Sequence, residues 1–253
     1  MLCAARLAGA VRDGAGWRVT LNAGEAGDEE LRCDWLIDAT GRRAAVARRV
    51  GAVRLRDDVL VAFYARFRAT GGADRDSRTA VESAPDGWWY TALVPSGERV
   101  VAFLTDADLV DHAEMLSTAG FAERLGASWY IRGVLAAHGY EAVGPLRGAD
   151  ASTARLDPVA DVGWVAVGDA AVSFDPLSSQ GILTALFTGL RAGQAVHHAL
   201  AGDPAELDGY VRRVDEIDRA YRRHREACYA AESRWLDRPF WRRRLGASST
   251  PRD

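Results

Sequence analysis

The sequence predicts an α+β fold, on three observations. Gly163-Trp164-Val165-Ala166-Val167 is a short apolar run that ends in Gly168-Asp169, and after a loop a long helix-spaced segment starts at Gly181. The stretches 59–68, 87–95 and 99–105 carry Phe63, Tyr64, Phe67, Trp88, Trp89 and Tyr90, residue types that suit a pleated, half-buried surface. From Glu206 onward Tyr210, Val214, Ile217, Tyr221 and Cys228 fall three, four or seven positions apart, the spacing of one helix face. With 253 residues, 48% of them hydrophobic, the chain is long enough to bury a sizeable core in one or two domains.

The elements follow in order. Leu7, Val11, Trp17, Val19 and Leu21 around Asp13-Gly14-Ala15-Gly16 predict a hairpin over 7–21. A polar loop from Asn22 to Glu30 leads to a short buried strand through Trp35-Leu36-Ile37-Asp38, which ends in Ala39-Thr40-Gly41-Arg42. A short basic helix over 43–49, closed by Gly51, comes next. The three aromatic-rich stretches predict an antiparallel sheet, with Pro95-Ser96-Gly97 as the turn between the last two. Asp108 suits the N-cap of a helix over about 109–125, and Ser128 to Ala137 a second helix that stops at Gly139. In the helix after Gly181, the apolar side reads as Ile182, Leu183, Leu186, Phe187, Leu190 and Val196. The last residues, Ala247 to Asp253, are expected to fray.

Composition excludes several functions. The 32 basic residues are all arginine, so a Walker-type phosphate loop and a Schiff-base lysine are both ruled out for this chain. A net charge of −3 argues against a basic nucleic-acid binder, and the arginines of the tail read as a solvated helix face. Cys3, Cys33 and Cys228 are widely spaced, and the histidines include neither HExxH nor an i,i+4 pair, so no metal site is expected. No stretch approaches the roughly 18–20 apolar residues of a membrane span, and no signal peptide is evident at Met1. A cytoplasmic protein with reduced thiols is the expectation.

The chemistry concentrates at Gly168-Asp169. A carboxylate at the end of a buried strand needs a hydrogen-bond partner, and a ligand hydroxyl supplies one. Gly168 lets a ligand approach the backbone. Ser178, Ser179 and Gln180 then lead into a helix start whose free N–H groups favour negative charge. One acceptor followed by clustered donors suits a polyol-linked, electron-accepting ring such as a flavin; an ordinary strand-to-helix connection capped by serine fits the same residues. Asp175 reads as the turn residue before Pro176, and no carboxylate announces itself as a general acid or base.

Gly168-Asp169-Ala170-Ala171, followed by Asp175-Pro176-Leu177-Ser178-Ser179-Gln180-Gly181-Ile182, resembles the second flavin motif of the FAD-dependent monooxygenase superfamily, which includes aromatic hydroxylases, geranylgeranyl reductases and flavin-dependent halogenases. Asp38-Ala39-Thr40-Gly41-Arg42 is similar to the strand-ending segment that closes the FAD domain of those proteins. Arg234-Trp235-Leu236-Asp237-Arg238-Pro239-Phe240-Trp241 resembles the C-terminal helix end of the halogenase-like branch, which also holds flavoproteins that modify tryptophan during quinone-cofactor maturation. The resemblance runs from about Leu7 to Trp241.

This resemblance implies an aromatic-hydroxylase-type FAD fold, N-terminally truncated. Residues 1–55 and 150–200 would form a partial FAD-binding domain, 56–149 an antiparallel sheet domain for the substrate, and 201–246 a C-terminal helical segment. It implies a monooxygenase that uses reduced FAD and O2 on an aromatic or electron-rich substrate, either a small molecule or a peptide-borne side chain. Asp169 would accept a hydrogen bond from the ribityl chain, with Gly168 beside it. Ser179, Gln180, Gly181 and Ile182 would present backbone to the pyrimidine ring, and Thr40, Gly41 and Arg42 would lie near the cofactor. Trp88 and Tyr90 would face an aromatic substrate, or else serve sheet packing. GxGxxG is absent from the chain, so by analogy roughly 100 residues of an ordinary FAD domain are not represented. A misassigned start, a split protein whose partner supplies the other half, and a fragment without FAD binding or catalysis each account for that. Halogenation, or tryptophan modification as in the maturation flavoproteins, is the alternative activity; the WxWxIP segment of halogenases is matched only in part by Gly87-Trp88-Trp89-Tyr90-Thr91-Ala92-Leu93-Val94-Pro95.

Overall fold

Alternating apolar beads around Gly14 produce the hairpin of β1 (Arg6–Asp13) and β2 (Gly16–Asn22). The structure is a computed structural model that describes residues 5–22, 24, 27–72 and 74–245; Met1, Cys3 and the expected frayed end at 247–253 lie outside the described residues. A third strand, β3 (Asp28–Cys33), pairs antiparallel with β2 to complete a meander. Its sequence, DEELRC, has no apolar alternation because it is an exposed edge, so a loop reaching Glu30 was expected there. Trp17 and Val19 turn inward from β2, and the Trp17 indole N–H donates to the Gly163 carbonyl at 2.7 Å.

Two compact units divide the chain, residues 1–57 with 153–224 and residues 58–152 with 225–253. The first unit holds that meander and two further three-stranded sheets. In one of them β4 (Leu36–Asp38) runs parallel to β13 (Trp164–Ala166), which pairs antiparallel with β12 (Ala160–Asp161). In the other, β11 (Ala154–Asp157) lies between β5 (Val53–Arg56) and β14 (Val172–Ser173). The basic segment after Arg42 forms two 3-10 turns, Gly41–Arg43 and Ala47–Val50, and Gly51 closes the second at φ +105°. Helix α4 (Gly181–Leu200) packs inward through Thr184, Thr188, Ala192, Ala195 and Val196. Of the expected apolar side Val196 is buried and Phe187 half-buried, whereas Ile182, Leu183, Leu186 and Leu190 are exposed. Tyr210, Val214 and Tyr221 of α5 (Ala205–Ala230) enter the same core, and the buried Tyr210 hydroxyl donates to the Ala166 carbonyl at 2.5 Å.

The second unit is built on a five-stranded antiparallel sheet in the order β10 (Tyr140–Asp150), β6 (Leu60–Ala69), β9 (Glu98–Asp106), β8 (Gly87–Leu93), β7 (Ala80–Ala84). β6, β8 and β9 are the three expected strands. The expected helix over 109–125 is broken in two, α1 (His112–Met115) and α2 (Thr118–Gly126), because Asp111 and Ser117 each cap a new start with their side chains. α3 (Tyr130–Ala137) is capped from outside its own sequence: the Glu82 carboxylate accepts the Trp129, Tyr130 and Ile131 N–H groups at 2.6, 3.1 and 3.0 Å.

Alternation along β8 sends Trp88 and Trp89 to opposite faces of the sheet. Trp89 joins Phe63, Phe103, Phe121 and Ile131 in one core. Trp88 is 2% exposed, and its indole N–H donates to the Tyr229 hydroxyl at 3.1 Å. Tyr229 in turn sits edge-on to Phe240 and Trp241 of α6 (Pro239–Leu245). Trp88→Ala is therefore expected to cost about 3–5 kcal/mol of stability, the range for deleting a buried aromatic side chain, whereas Val81→Ala on the exposed side of β7 stays within about 0.5 kcal/mol. Urea unfolding of the two variants checks this.

Candidate functional site

The parallel pairing of Leu36, Ile37 and Asp38 with Trp164, Val165 and Ala166 brings two strand ends side by side, and the Val167 N–H closes the ladder on the Asp38 carbonyl at 2.9 Å. The two chains then turn into the segments singled out in the sequence. The turn after β4 is organised by one carboxylate. Asp38 is fully buried and accepts four hydrogen bonds, from the Thr40 N–H and hydroxyl at 2.9 and 2.6 Å and from the Val46 and Ala47 N–H groups at 3.0 and 2.8 Å. Both oxygens are used, which offsets the desolvation of a charge in that position. Gly41 takes φ +67° there.

The turn after β13 is held against α4. Gly168 has φ +56°, and a Cβ added to it would lie 3.1 Å from the Ala185 Cβ, so the residue needs both the conformational freedom and the missing side chain of glycine. Its N–H donates to the Thr188 hydroxyl at 2.9 Å, and that hydroxyl donates to the Thr184 carbonyl at 2.7 Å. The neighbouring Asp169 carboxylate points outward. It is 40% exposed, and its ion-pair partner is Arg42, whose Nε stands 3.6 Å away. That distance is too long for a hydrogen bond. Arg42 also donates to the Phe174 carbonyl at 2.8 Å. Arg54 reaches the Asp169 carbonyl at 3.2 Å and the Ser173 hydroxyl at 2.6 Å.

The loop to α4 is pinned from behind. The Phe174 ring stacks on Tyr221 at 4.2 Å between centroids, and the Asp175 N–H donates to the Tyr221 hydroxyl at 2.9 Å. The Asp175 carboxylate is buried and accepts the Leu177 N–H at 2.9 Å, capping the 3-10 turn Pro176–Ser178. Ser179 follows in the left-handed region at φ +52°, an uncommon conformation for a residue with a side chain. α4 then begins with no side-chain cap, so its first N–H groups are left for solvent or a ligand.

Thr40, Gly41, Arg42, Gly168 and Asp169 are thus drawn together by two adjoining turns, with Ser179, Gln180, Gly181 and Ile182 at the mouth of α4, which packs on the second of them. Apart from Gly168, these residues are exposed or half-exposed. Trp88 and Tyr90 belong to the other unit; Trp88 is spent on the core described above and Tyr90 is half-buried. A groove of about 300 Å³ on α4 and α5 carries Arg191, Arg212 and Arg213 beside Glu206 and Glu216 in its lining, a mixture of both signs of charge. Among the described residues there is no cluster of metal-ligating side chains, and no helix is long and apolar enough to cross a membrane. Three supporting residues were not read as such from the sequence. Asp38 was visible as a carboxylate ending an apolar run, but Arg54 and the Tyr221 hydroxyl carried no local signal.

Removing the Asp38 carboxylate strands the Val46 and Ala47 N–H groups in a buried turn. Each unsatisfied buried donor costs about 1–3 kcal/mol, so Asp38→Ala is expected to lose about 3 kcal/mol or more of stability in chemical unfolding and to loosen the Thr40–Arg42 turn in hydrogen exchange.

No family model matches the sequence. A relative from Marinomonas mediterranea, LodB, provisionally named an FAD-dependent oxidoreductase, is 29% identical over 237 residues, which are 92% of this chain and 62% of the relative. Among solved structures, the flavin-dependent halogenase CmlS superposes with a TM-score of 0.83 at 22% identity over 97% of this chain and 46% of its own. The peptidyl tryptophan dihydroxylase QhpG, described as essential for tryptophylquinone cofactor biogenesis, superposes with a TM-score of 0.75 at 26% identity over 97% of this chain and 55% of its own. The chain spans about three-fifths of LodB and about half of these two flavoproteins. It shares the fold of the flavin-dependent halogenase CmlS and of the dihydroxylase QhpG.

Proposed function

We propose that this chain is part of an FAD-dependent oxidoreductase, a monooxygenase acting on an aromatic or otherwise electron-rich substrate. The observation that carries the reading is the outward Asp169 carboxylate, left without a hydrogen-bond donor among the described residues, on the same turn that packs against the uncapped start of α4. The residues present fit the cofactor. Asp169 would accept a ribityl hydroxyl, and Arg42 would keep the carboxylate in place while tying its turn to the Phe174 carbonyl. The first N–H groups of α4, reached through Ser179, Gln180, Gly181 and Ile182, would face the pyrimidine edge, where the helix dipole favours negative charge. Thr40 and Gly41 would border the same cofactor. When bound, FAD supplies the redox chemistry, with O2 as co-substrate; the chain binds and orients it and stabilises the charge of its reduced form.

The relatives support a substrate class. QhpG is a peptidyl tryptophan dihydroxylase, and a peptide-borne aromatic side chain is the substrate we favour over a free small molecule. Halogenation is a second reading, favoured by the superposition on CmlS; product analysis with and without chloride or bromide separates the two.

Titration with FAD tests the reading. The chain is expected to take up flavin with its visible absorption. A charged hydrogen bond contributes about 1.5–3 kcal/mol, so Asp169→Ala is expected to weaken that binding by about tenfold or more, with an unchanged circular-dichroism spectrum. Full flavin affinity in Asp169→Ala would remove the assigned role, and no flavin uptake in any form of the protein would leave a non-catalytic subunit as the reading.

A further inference from the structure

The sheet of the second unit has two unlike faces. Phe63, Trp89 and Phe103 stand in register on one of them, in one core with Phe121 of α2 and Ile131 of α3. Side chains alternate along a strand, so the next position on each ladder belongs to the opposite face. There Tyr64 of β6 pairs with Ala102 of β9, and Ala102 pairs with Tyr90 of β8. One row across three strands therefore reads Tyr-Ala-Tyr. Both tyrosines are half-buried, and Ala102 between them is 7% exposed. Among the described residues neither tyrosine ring pairs with another ring, and neither hydroxyl has a hydrogen-bond partner.

Strand spacing decides what fits between the two rings. Neighbouring strands lie about 4.8 Å apart, so Tyr64 and Tyr90 are about 9.6 Å apart with one small side chain between them. Aromatic rings pair with their centroids about 4.5–7 Å apart. A flat ring set above Ala102 would meet a tyrosine on each side at the strand spacing, and an aliphatic side chain of similar volume gains no such pairing. The adjoining rows set the polarity. On one side the buried pair Trp88 and Leu104 extends an apolar wall. On the other, Arg66 stands opposite Val100, and Arg66 and Arg68 reach the Glu98 carboxylate at 3.1 and 2.7 Å. An apolar end and a charged end suit a ring attached to a polar chain.

We propose that the place above Ala102, between Tyr64 and Tyr90, seats the aromatic ring of the substrate, a side chain carried on a peptide. Tyr64 and Tyr90 hold the ring by its two faces. Ala102 determines specificity, because a larger residue there would fill the place itself. The inference rests on the aromatic-substrate reading above, and it does not require bound flavin.

The test uses the chain with N-acetyl-L-tryptophanamide as probe. Isothermal titration calorimetry up to about 5 mM, where millimolar complexes are populated, is expected to show one-to-one binding. N-acetyl-L-leucinamide is expected to bind at least about fivefold more weakly, since pairing with two rings adds to the burial of area. Tyr64→Ala and Tyr90→Ala each weaken the tryptophan amide at least about threefold, whereas Tyr64→Phe and Tyr90→Phe retain its affinity. Ala102→Phe abolishes binding. Val162→Ala, at an exposed residue of the first unit, leaves it unchanged. Circular dichroism confirms that each variant folds. Absence of binding, equal affinity for the two amides, or binding indifferent to both alanine variants at Tyr64 and Tyr90 overturns the proposal. Binding of the tryptophan amide by a chain that takes up no flavin leaves the seat standing and counts against the flavin reading, while flavin uptake without amide binding does the reverse.

Discussion

The parallel ladder between β4 and β13 is the constraint on which the rest of the site depends. Three residue pairs and the Val167 N–H to Asp38 carbonyl bond end two strands at one level. Everything of chemical interest in the first unit then hangs from the two turns that leave those ends. Asp38 converts the first turn from a loop into a fixed object by accepting four hydrogen bonds from it. Arg42 extends that rigidity to the second turn through the Phe174 carbonyl, 132 residues further along the chain.

The two aspartates show how environment divides one residue type into two roles. Asp38 is saturated with donors inside the protein and has nothing left for a ligand. Asp169 sits at the corresponding end of the adjacent strand, is 40% exposed and has a guanidinium at 3.6 Å. A carboxylate placed this way keeps its acceptor capacity for an incoming hydroxyl. The loop behind it is held by stacking and hydrogen bonding to Tyr221, so the approach to α4 is supported from the side away from solvent. That support makes the left-handed Ser179 tolerable, since strain of this kind persists only where the surroundings hold it in place.

Much of this was legible in the sequence, and the omissions share a cause. The hairpin, β4, β6, β8, β9, β13, α4 and α5 announced themselves because each has a clear apolar period. β3 did not, since an exposed edge strand of acidic and basic residues has no period to read. The break between α1 and α2 depended on which of several polar residues would cap, and Asp111 and Ser117 prevailed over Asp108. The most instructive reversal is α4. Its large apolar residues looked like the buried side, yet small residues and two threonines face the core, because a helix pressed against a glycine turn has no room for leucine there. At the site, the residues proposed to hold a ligand were readable from their pattern, while those that position them, Arg54 and Tyr221, act across long sequence separations that no local pattern reveals.

The central claim is that Asp169 and the start of α4 form one cradle for a flavin and its sugar-alcohol arm. A crystal structure of the FAD-loaded protein examines it most directly. The account places a ribityl hydroxyl within hydrogen-bonding distance of the Asp169 carboxylate and the pyrimidine edge against the first N–H groups of α4. A flavin bound elsewhere, with Asp169 closed onto Arg42, would contradict it.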